Sequence, residues 1–425
     1  KELMREGPMK FRAYLFAALS SLLFVTAVTA AERTVVVVLF DGFAPASLDA
    51  TATPNFDRIR QEGVWSRHLI PAFPTVSLIN HTTFETGCWP EHHGIISNFF
   101  YDPKKGLFPQ SDDADWRTGC ETMWDAAERQ GVKSAAFSIA GRWSGTKGKR
   151  ATYVNPNVPW KARETDDKVL QRGLAALRDT GPNHPRLIAL YFPIPDEQAH
   201  WNGTTAPKTE EAVRKADAIV GKLMAAIRAL PPSREATLVV GTDHGMMDIG
   251  PVINIGRILG RENIHARQAS DGATVFLYLG KGETMAHAMA GLAKYKYAFD
   301  AYPKGKYPPY AHLGNGPRAG DILLLAKPPY WVAGPEAFPK YARWLGLTHF
   351  WPVTFIPPFG GLKATHGYDP HIMQMHGIFF AWGAGVAHGK YIPRLDMIDV
   401  HPTVMSLLGL SPGVPQDGHP IAIGP

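Results

Sequence analysis

Cysteine is almost absent from this chain of 425 residues, occurring only at Cys88 and Cys120. A disulfide framework is therefore excluded as the main source of stability, and the one pair is either a single disulfide or two buried thiols. Runs of basic residues are also missing, although the formal net charge is +6. No stripe for a nucleic-acid polymer is expected, and the charge reads as a solvated surface that tolerates small anionic substrates. The sequence has no low-complexity linker and no internal repeat. It also lacks a long uninterrupted apolar run: the stretch from Ala13 to Val28 is short for a membrane span and is broken by Ser20, Ser21 and Thr26. With Lys10 and Arg12 before it and Val28-Thr29-Ala30 after it, this stretch has the outline of a secretory signal peptide over residues 1–30. The expectation is a mature chain over residues 31–425, periplasmic or secreted, with no stable membrane insertion after cleavage and a net charge of about +4.

What is abundant is apolar sequence, at 45%, enough for a large core. Thr34 to Phe40 reads TVVVVLF, a continuous β-branched run that suits a parallel strand covered on both faces. Thr53-Pro54-Asn55 offers a capping Thr and a first-turn Pro, so a helix is expected from there to Gly63. Further strands are expected over Val132 to Ser138, Arg186 to Phe192 and Ala236 to Gly241. A long amphipathic helix is expected from Glu210 to Leu230. The alternation predicts an α/β fold with a doubly wound, mostly parallel central sheet. A small accessory lobe is expected over residues 251–326, where TVFLYL and DILLLA alternate. The crowded aromatics and prolines from Tyr330 to Gly360 predict a long loop or lid.

Polar residues collect where the strands end. Asp41 follows the first strand, Asp196 the strand ending near Phe192, and Asp243-His244 the strand from Ala236. In open α/β sheets, ligand sites form beyond the carboxyl ends of the strands. Asp196 and His200 stand four apart, on one face of a helical turn, and His366 adds a third imidazole in ATHGYDP. Three carboxylates and three imidazoles form a mixed oxygen and nitrogen donor set that zinc accepts. The stretch FPTVSLINHTTFETGCWPEHHG, Phe73 to Gly94, adds two hydroxyls, Thr75 and Ser77. Either can cap the helix expected to run to Thr86, or serve as an activated nucleophile.

The ordered segments VVVVLFDGF, TPNFDRIRQEGVWSRHLIPAFPT, NHTTFETGCWPEHHGIISNFFYDP, YFPIPDEQAHWNG, VVGTDHGM, RAGDILLLA, THGYDP and IDVHPTVMSLLGLSPGVPQDG resemble the nucleotide pyrophosphatase/phosphodiesterase family within the alkaline phosphatase superfamily. The resemblance spans about residues 33–420 and implies a two-zinc hydrolase of phosphodiester or pyrophosphate bonds. Its nucleophile stands three residues before an Asn-His pair, which implies Ser77 and a phospho-serine intermediate. It further implies that Asp196, His200 and His366 hold one zinc and that Asp41, Asp243, His244 and Ser77 hold the other. Asn98 matches the position that donates to a phosphate oxygen. Tyr191 matches a position that stacks on a nucleobase, with Leu78 standing where an opposite aromatic wall is usual. His81, His92 and His93 are expected to serve packing or helix-end hydrogen bonds. Two other readings stand beside this one. The first is a hydrolase of the same superfamily acting on a phosphonate, a phosphomonoester or a lipid headgroup, and the second is a metal-binding protein without turnover.

Overall fold

The computed structural model describes residues 32–110, 114–137, 151–155, 163–332, 352–354 and 361–425. The proposed signal peptide lies outside them, as does most of the aromatic segment from Tyr330 to Gly360.

Strand β1 (Glu32–Asp41) is the centre of the molecule. Its alternate residues enter two different cores. Val36, Val38 and Phe40 pack with Ile188, Leu190, Leu238 and Val240 on one face. Val35, Val37 and Leu39 pack with Ala189, Tyr191 and Val239 on the other. All six residues from Val35 to Phe40 are at most 1% exposed. A strand buried on both faces needs apolar residues at every position, which is why the run is continuous.

Eight further strands complete the sheet: β2 (Val64–Ile70), β3 (Ser134–Phe137), β4 (Tyr153–Val154), β5 (Leu187–Pro195), β6 (Arg234–Thr242), β7 (Gly377–Gly383), β8 (Lys390–Tyr391) and β9 (Leu395–Asp396). Their order is β8-β2-β7-β6-β1-β5-β3-β4, with β9 also on β2. Every pairing is parallel except those of β7, which runs against both β2 and β6. This is the mostly parallel α/β sheet expected from the sequence. Its register matters for chemistry: Asp41 lies opposite Pro195, and Phe40 opposite Thr242. The residues that follow β5 and β6, Asp196 and Asp243, therefore reach the same edge as Asp41.

Helix α1 (Pro54–Glu62) starts where Pro54 predicts, but the side chain of Thr53 makes no capping bond. The cap is Asp217, from α2 (Pro207–Arg228), whose Oδ1 accepts from the N–H groups of Asn55 and Phe56 at 3.0 Å each. Helix α3 (Ser77–Thr86) likewise has no side-chain cap, its N-cap position being Val76. Capping is thus not the work of Thr75 or Ser77. Cys88 and Cys120 form a disulfide. Within the stretch expected as an accessory lobe lies a four-stranded antiparallel sheet of Ala266–Asp271, Thr274–Leu279, Ile322–Ala326 and Phe299–Pro303, in that order. The described parts of the aromatic segment form short strands: Trp331 and Val353 flank the Val252–Ile253 strand on either side.

Candidate active site

The edge that gathers Asp41, Asp196 and Asp243 also receives His200, His244 and His366. Two groups of side chains converge there, Asp196 with His244 and His366, and Asp41 with Asp243 and His244. The candidate ligand atoms of each group lie within 4.8 Å of one another. Asp196 and His200 share one turn of the helix Asp196–Asn202, with Oδ1 and Nε2 3.4 Å apart. Gly42 makes the close approach possible. It has φ +61°, and a Cβ there would stand 2.6 Å from Asp196 Oδ1.

The three imidazoles are aimed in one way. His200 Nδ1 lies 2.8 Å from the Ala364 carbonyl, His366 Nδ1 2.9 Å from that of Thr75, and His244 Nδ1 2.9 Å from that of Gly245. A carbonyl only accepts, so each Nδ1 carries the proton and each Nε2 turns a lone pair to the site. Burial lowers the pKa of His200, holds His366 well below the ordinary range, and takes His244 down to about 3. The carboxylates move the other way. Burial, and then the neighbouring charge of Asp243, hold Asp41 well above the ordinary range. Burial, and then Asp41, do the same to Asp196, and burial pushes Asp243 up to about 7. Asp41 Oδ1 and Asp196 Oδ1 are buried without a hydrogen-bond partner. Neutral imidazoles, crowded carboxyls and two orphaned oxygens form a donor set that could hold a metal ion, whose positive charge favours the ionised form of the acids.

Ser77, at the start of α3, places Oγ 3.2 Å from His244 Nε2 and lines the cleft. Thr75 has another task. Its Oγ1 donates to the Tyr368 carbonyl and accepts from Gly367 N–H, while its carbonyl receives His366 Nδ1–H. Asn98 also lines the cleft, and its Oδ1 accepts from Leu78 N–H at 2.7 Å. The remaining space is a cleft of about 700 Å³ bounded by Phe99, Tyr101, Trp201 and Asp271 besides the catalytic candidates. Asp271 reaches it from the hairpin of the small sheet. Gly272 in that turn has φ +57°, and a Cβ would stand 2.2 Å from the His366 carbonyl. Burial pushes Asp271 up to about 7, against the pull of the Asn98 N–H groups.

Two residues expected at the organic group of the substrate are buried beside the site. Tyr191 is 3% exposed, packed on the sheet face it shares with Leu39 and Ala189, and its hydroxyl donates to Asp41 Oδ2. Leu78 is 6% exposed and points into a cluster with Phe73 and Ile95. Neither bounds the cleft. The physical reason is strand pleat and helix phase: Tyr191 faces the α/β interior as Ala189 does, and Leu78 turns away from the face that carries Ser77. Sequence reasoning also missed the work of Asn80 and His81. Asn80 ties the loop before α3, accepting from Ala72 N–H and donating to the carbonyls of Ala72, Pro74 and Val76. His81, expected to serve packing or a helix-end hydrogen bond, places Nε2 3.0 Å from Asp243 Oδ2. The exposed aromatics Phe99 and Trp201 were legible only as neighbours of Asn98 and His200 in the chain.

Comparison with known proteins identifies the family. A family model described as type I phosphodiesterase / nucleotide pyrophosphatase matches residues 35–369. Rat ectonucleotide pyrophosphatase/phosphodiesterase family member 7 is 25% identical over 406 residues, covering 93% of this chain and 87% of that protein. Human family member 1 is 25% identical over 386 residues, covering 86% of this chain and 38% of that protein. Among solved structures, murine ectonucleotide pyrophosphatase/phosphodiesterase 5, an inactive variant in complex with AMP, superposes with a TM-score of 0.78 at 23% identity. It covers 91% of this chain and 97% of that one. The chain belongs to the type I phosphodiesterase / nucleotide pyrophosphatase family of phosphodiester hydrolases.

Proposed function

We propose that this chain is an exported hydrolase with two zinc ions that cleaves phosphodiester or pyrophosphate bonds, of nucleotides in the first place, through a phospho-serine on Ser77. The observation that carries the reading is Ser77 Oγ at 3.2 Å from His244 Nε2, the imidazole common to both candidate metal groups. Asp196, His200 and His366 would hold one zinc, and Asp41, Asp243, His244 and Ser77 the other. When bound, the metals supply positive charge, which lowers the pKa of the Ser77 hydroxyl and of an attacking water and offsets charge developing on phosphorus-bound oxygens.

The chain's own residues do the rest. Ser77 Oγ, having released its proton to solvent, forms a bond to phosphorus while the bond to the leaving oxygen breaks. Water then forms the new bond to phosphorus, and the Ser77 Oγ–P bond breaks. Asn98 is held by its Oδ1, and its Nδ2 group, which shares its N–H groups with Asp271, donates to a phosphoryl oxygen as charge grows there. Thr75 fixes His366 and the nucleophile loop to each other.

A diester is the better substrate class. A monoester brings a second negative charge and a third terminal oxygen, which call for a cationic donor. Among the described residues lining the cleft there is no Lys or Arg, and Asp271 adds an acid instead. Export agrees with the disulfide and with relatives named as ectoenzymes and venom phosphodiesterases. The test is a hydrolysis panel of matched mono- and bis-nitrophenyl phosphates, a dinucleotide polyphosphate and a choline phospholipid, with zinc present. The diester is expected to exceed the monoester in kcat/KM and the dinucleotide to exceed the phospholipid. The reverse in either pair overturns that part of the reading.

A further inference from the structure

Two buried side chains touch the carboxylates of one metal group and take no part in the cleft. The Tyr191 hydroxyl donates to Asp41 Oδ2. His81 Nε2 stands 3.0 Å from Asp243 Oδ2 and 3.8 Å from Asp41 Oδ2. The Tyr191 and His81 rings meet edge to face, with centroids 4.8 Å apart. On Asp243 the other oxygen, Oδ1, accepts the N–H groups of Gly42 and His244. On Asp41 the other oxygen is the orphan that faces the site. The imidazoles of both groups, His200, His244 and His366, are instead each oriented by a main-chain carbonyl. Main-chain anchors survive any substitution of the anchoring residue's side chain, whereas the Tyr191 and His81 contacts do not.

We propose that Tyr191 and His81 form a brace that fixes the Asp41 and Asp243 carboxylates, and that this brace governs how firmly the metal on Asp41, Asp243 and His244 is retained while leaving the Asp196, His200 and His366 side untouched. Both are positioning residues. On Asp41 a donor on the far oxygen stops the carboxylate from rotating about its Cβ–Cγ bond, so Oδ1 is already directed when the cation arrives; on Asp243, whose Oδ1 is held by main-chain N–H groups, His81 fixes Oδ2 itself, the oxygen 3.4 Å from His244 Nε2. Partners of this kind typically change metal affinity ten- to a hundredfold. The proposal rests on the two-metal reading above, and its test separates the two.

The experiment follows zinc release into a chromogenic chelator from fully loaded protein, with metal content fixed by elemental analysis. Tyr191→Phe keeps the ring in the core and removes only the hydroxyl. His81→Leu removes the donor, and His81→Gln returns an N–H near the place of Nε2. Tyr295→Phe, which removes a hydroxyl bonded to Glu262, is the control. For Tyr191→Phe and His81→Leu, one equivalent is expected to leave about ten- to a hundredfold faster than in the unsubstituted protein, with the second unchanged. His81→Gln should restore most of the retention, and the control should behave as the unsubstituted protein. Release at unsubstituted rates, or acceleration of both equivalents alike, overturns the brace. Unsubstituted protein that holds no metal defeats the two-metal reading instead. A Tyr191→Phe chain that does not fold makes that tyrosine a folding residue and removes it from the proposal, and the two His81 variants then decide the other half.

Discussion

Two hydroxyls two residues apart have opposite duties. Ser77 lines the cleft beside His244, while Thr75 is buried among bonds to the His366–Tyr368 loop. Ser77→Ala is expected to lower turnover at least about a thousandfold, as loss of a covalent nucleophile does, with an unchanged melting temperature. Thr75→Ala is expected to cost about 1 kcal/mol of stability, because it removes the hydroxyl's bond to the Tyr368 carbonyl while the Gly367 N–H keeps the Thr75 carbonyl, and to keep Ser77 competent for phosphorylation. Steady-state rates, thermal melts and acid trapping of the phospho-enzyme check both, and a phosphate trapped on Thr75 reverses the assignment. A third residue belongs at this scale. Phe99 is 39% exposed at the cleft, and a ring in that position offers a base a stacking face worth about 1–3 kcal/mol. Phe99→Ala should raise KM for a nucleotide diester about tenfold while changing that for a small nitrophenyl diester little. An equal change for both makes Phe99 a wall rather than a stacking partner.

Among the elements, α3 carries a buried acid far from the cleft. Glu85 is fully buried, and burial pushes its pKa up to about 8 against the attraction of Arg117. The folded state then holds a proton that the unfolded chain releases near 4.5, so this group's stabilisation is whole below about pH 4.5 and is lost as pH rises through about 8. Glu85→Gln cannot lose that proton. Its melting temperature should fall less than that of the unsubstituted protein between pH 5 and pH 8.5, with the two curves converging toward acid. Helix α1 gives a simpler case. Asp217→Ala removes the acceptor for two first-turn N–H groups and should cost about 1–2 kcal/mol by thermal melt without altering kcat. These elements also mark what a sequence can convey. The run from Thr34 to Phe40 was legible because burial on both faces leaves a continuous apolar signature, and Pro54 because its ring fits a first helical turn. The cap of α1 was not legible, since Asp217 arrives from another helix and only the packing of α1 on α2 brings it there.

For the molecule as a whole, the sheet edge acts as a single binding device. Removing metal with a chelator is expected to abolish diester hydrolysis and to lower the melting temperature. Zinc should restore both, and magnesium should not, because imidazole nitrogens suit zinc and an oxygen-only preference suits magnesium. Activity in protein shown by elemental analysis to be free of transition metal defeats the metal reading. The ligand candidates were legible because strand ends announce themselves as abrupt changes from apolar to acidic residues, at Asp41, Asp196 and Asp243 alike. The substrate wall was not, because Tyr191 and Leu78 owe their direction to pleat and helix phase rather than to their neighbours in sequence. Asp271 owes its place to chain folding over a long separation.

The bond from His366 Nδ1 to the Thr75 carbonyl joins points 291 residues apart in the chain. Its consequence concerns birth rather than catalysis. A growing chain has Asp41, Ser77, Asp196, His200, Asp243 and His244 in hand well before residue 366 is made, and the loop that completes one candidate metal group and steadies the proposed nucleophile comes only then. Chains released early should therefore carry the nucleophile but stay inert, so that hydrolytic power appears at the last stage of synthesis, and truncations ending before His366 should bind at most one ion.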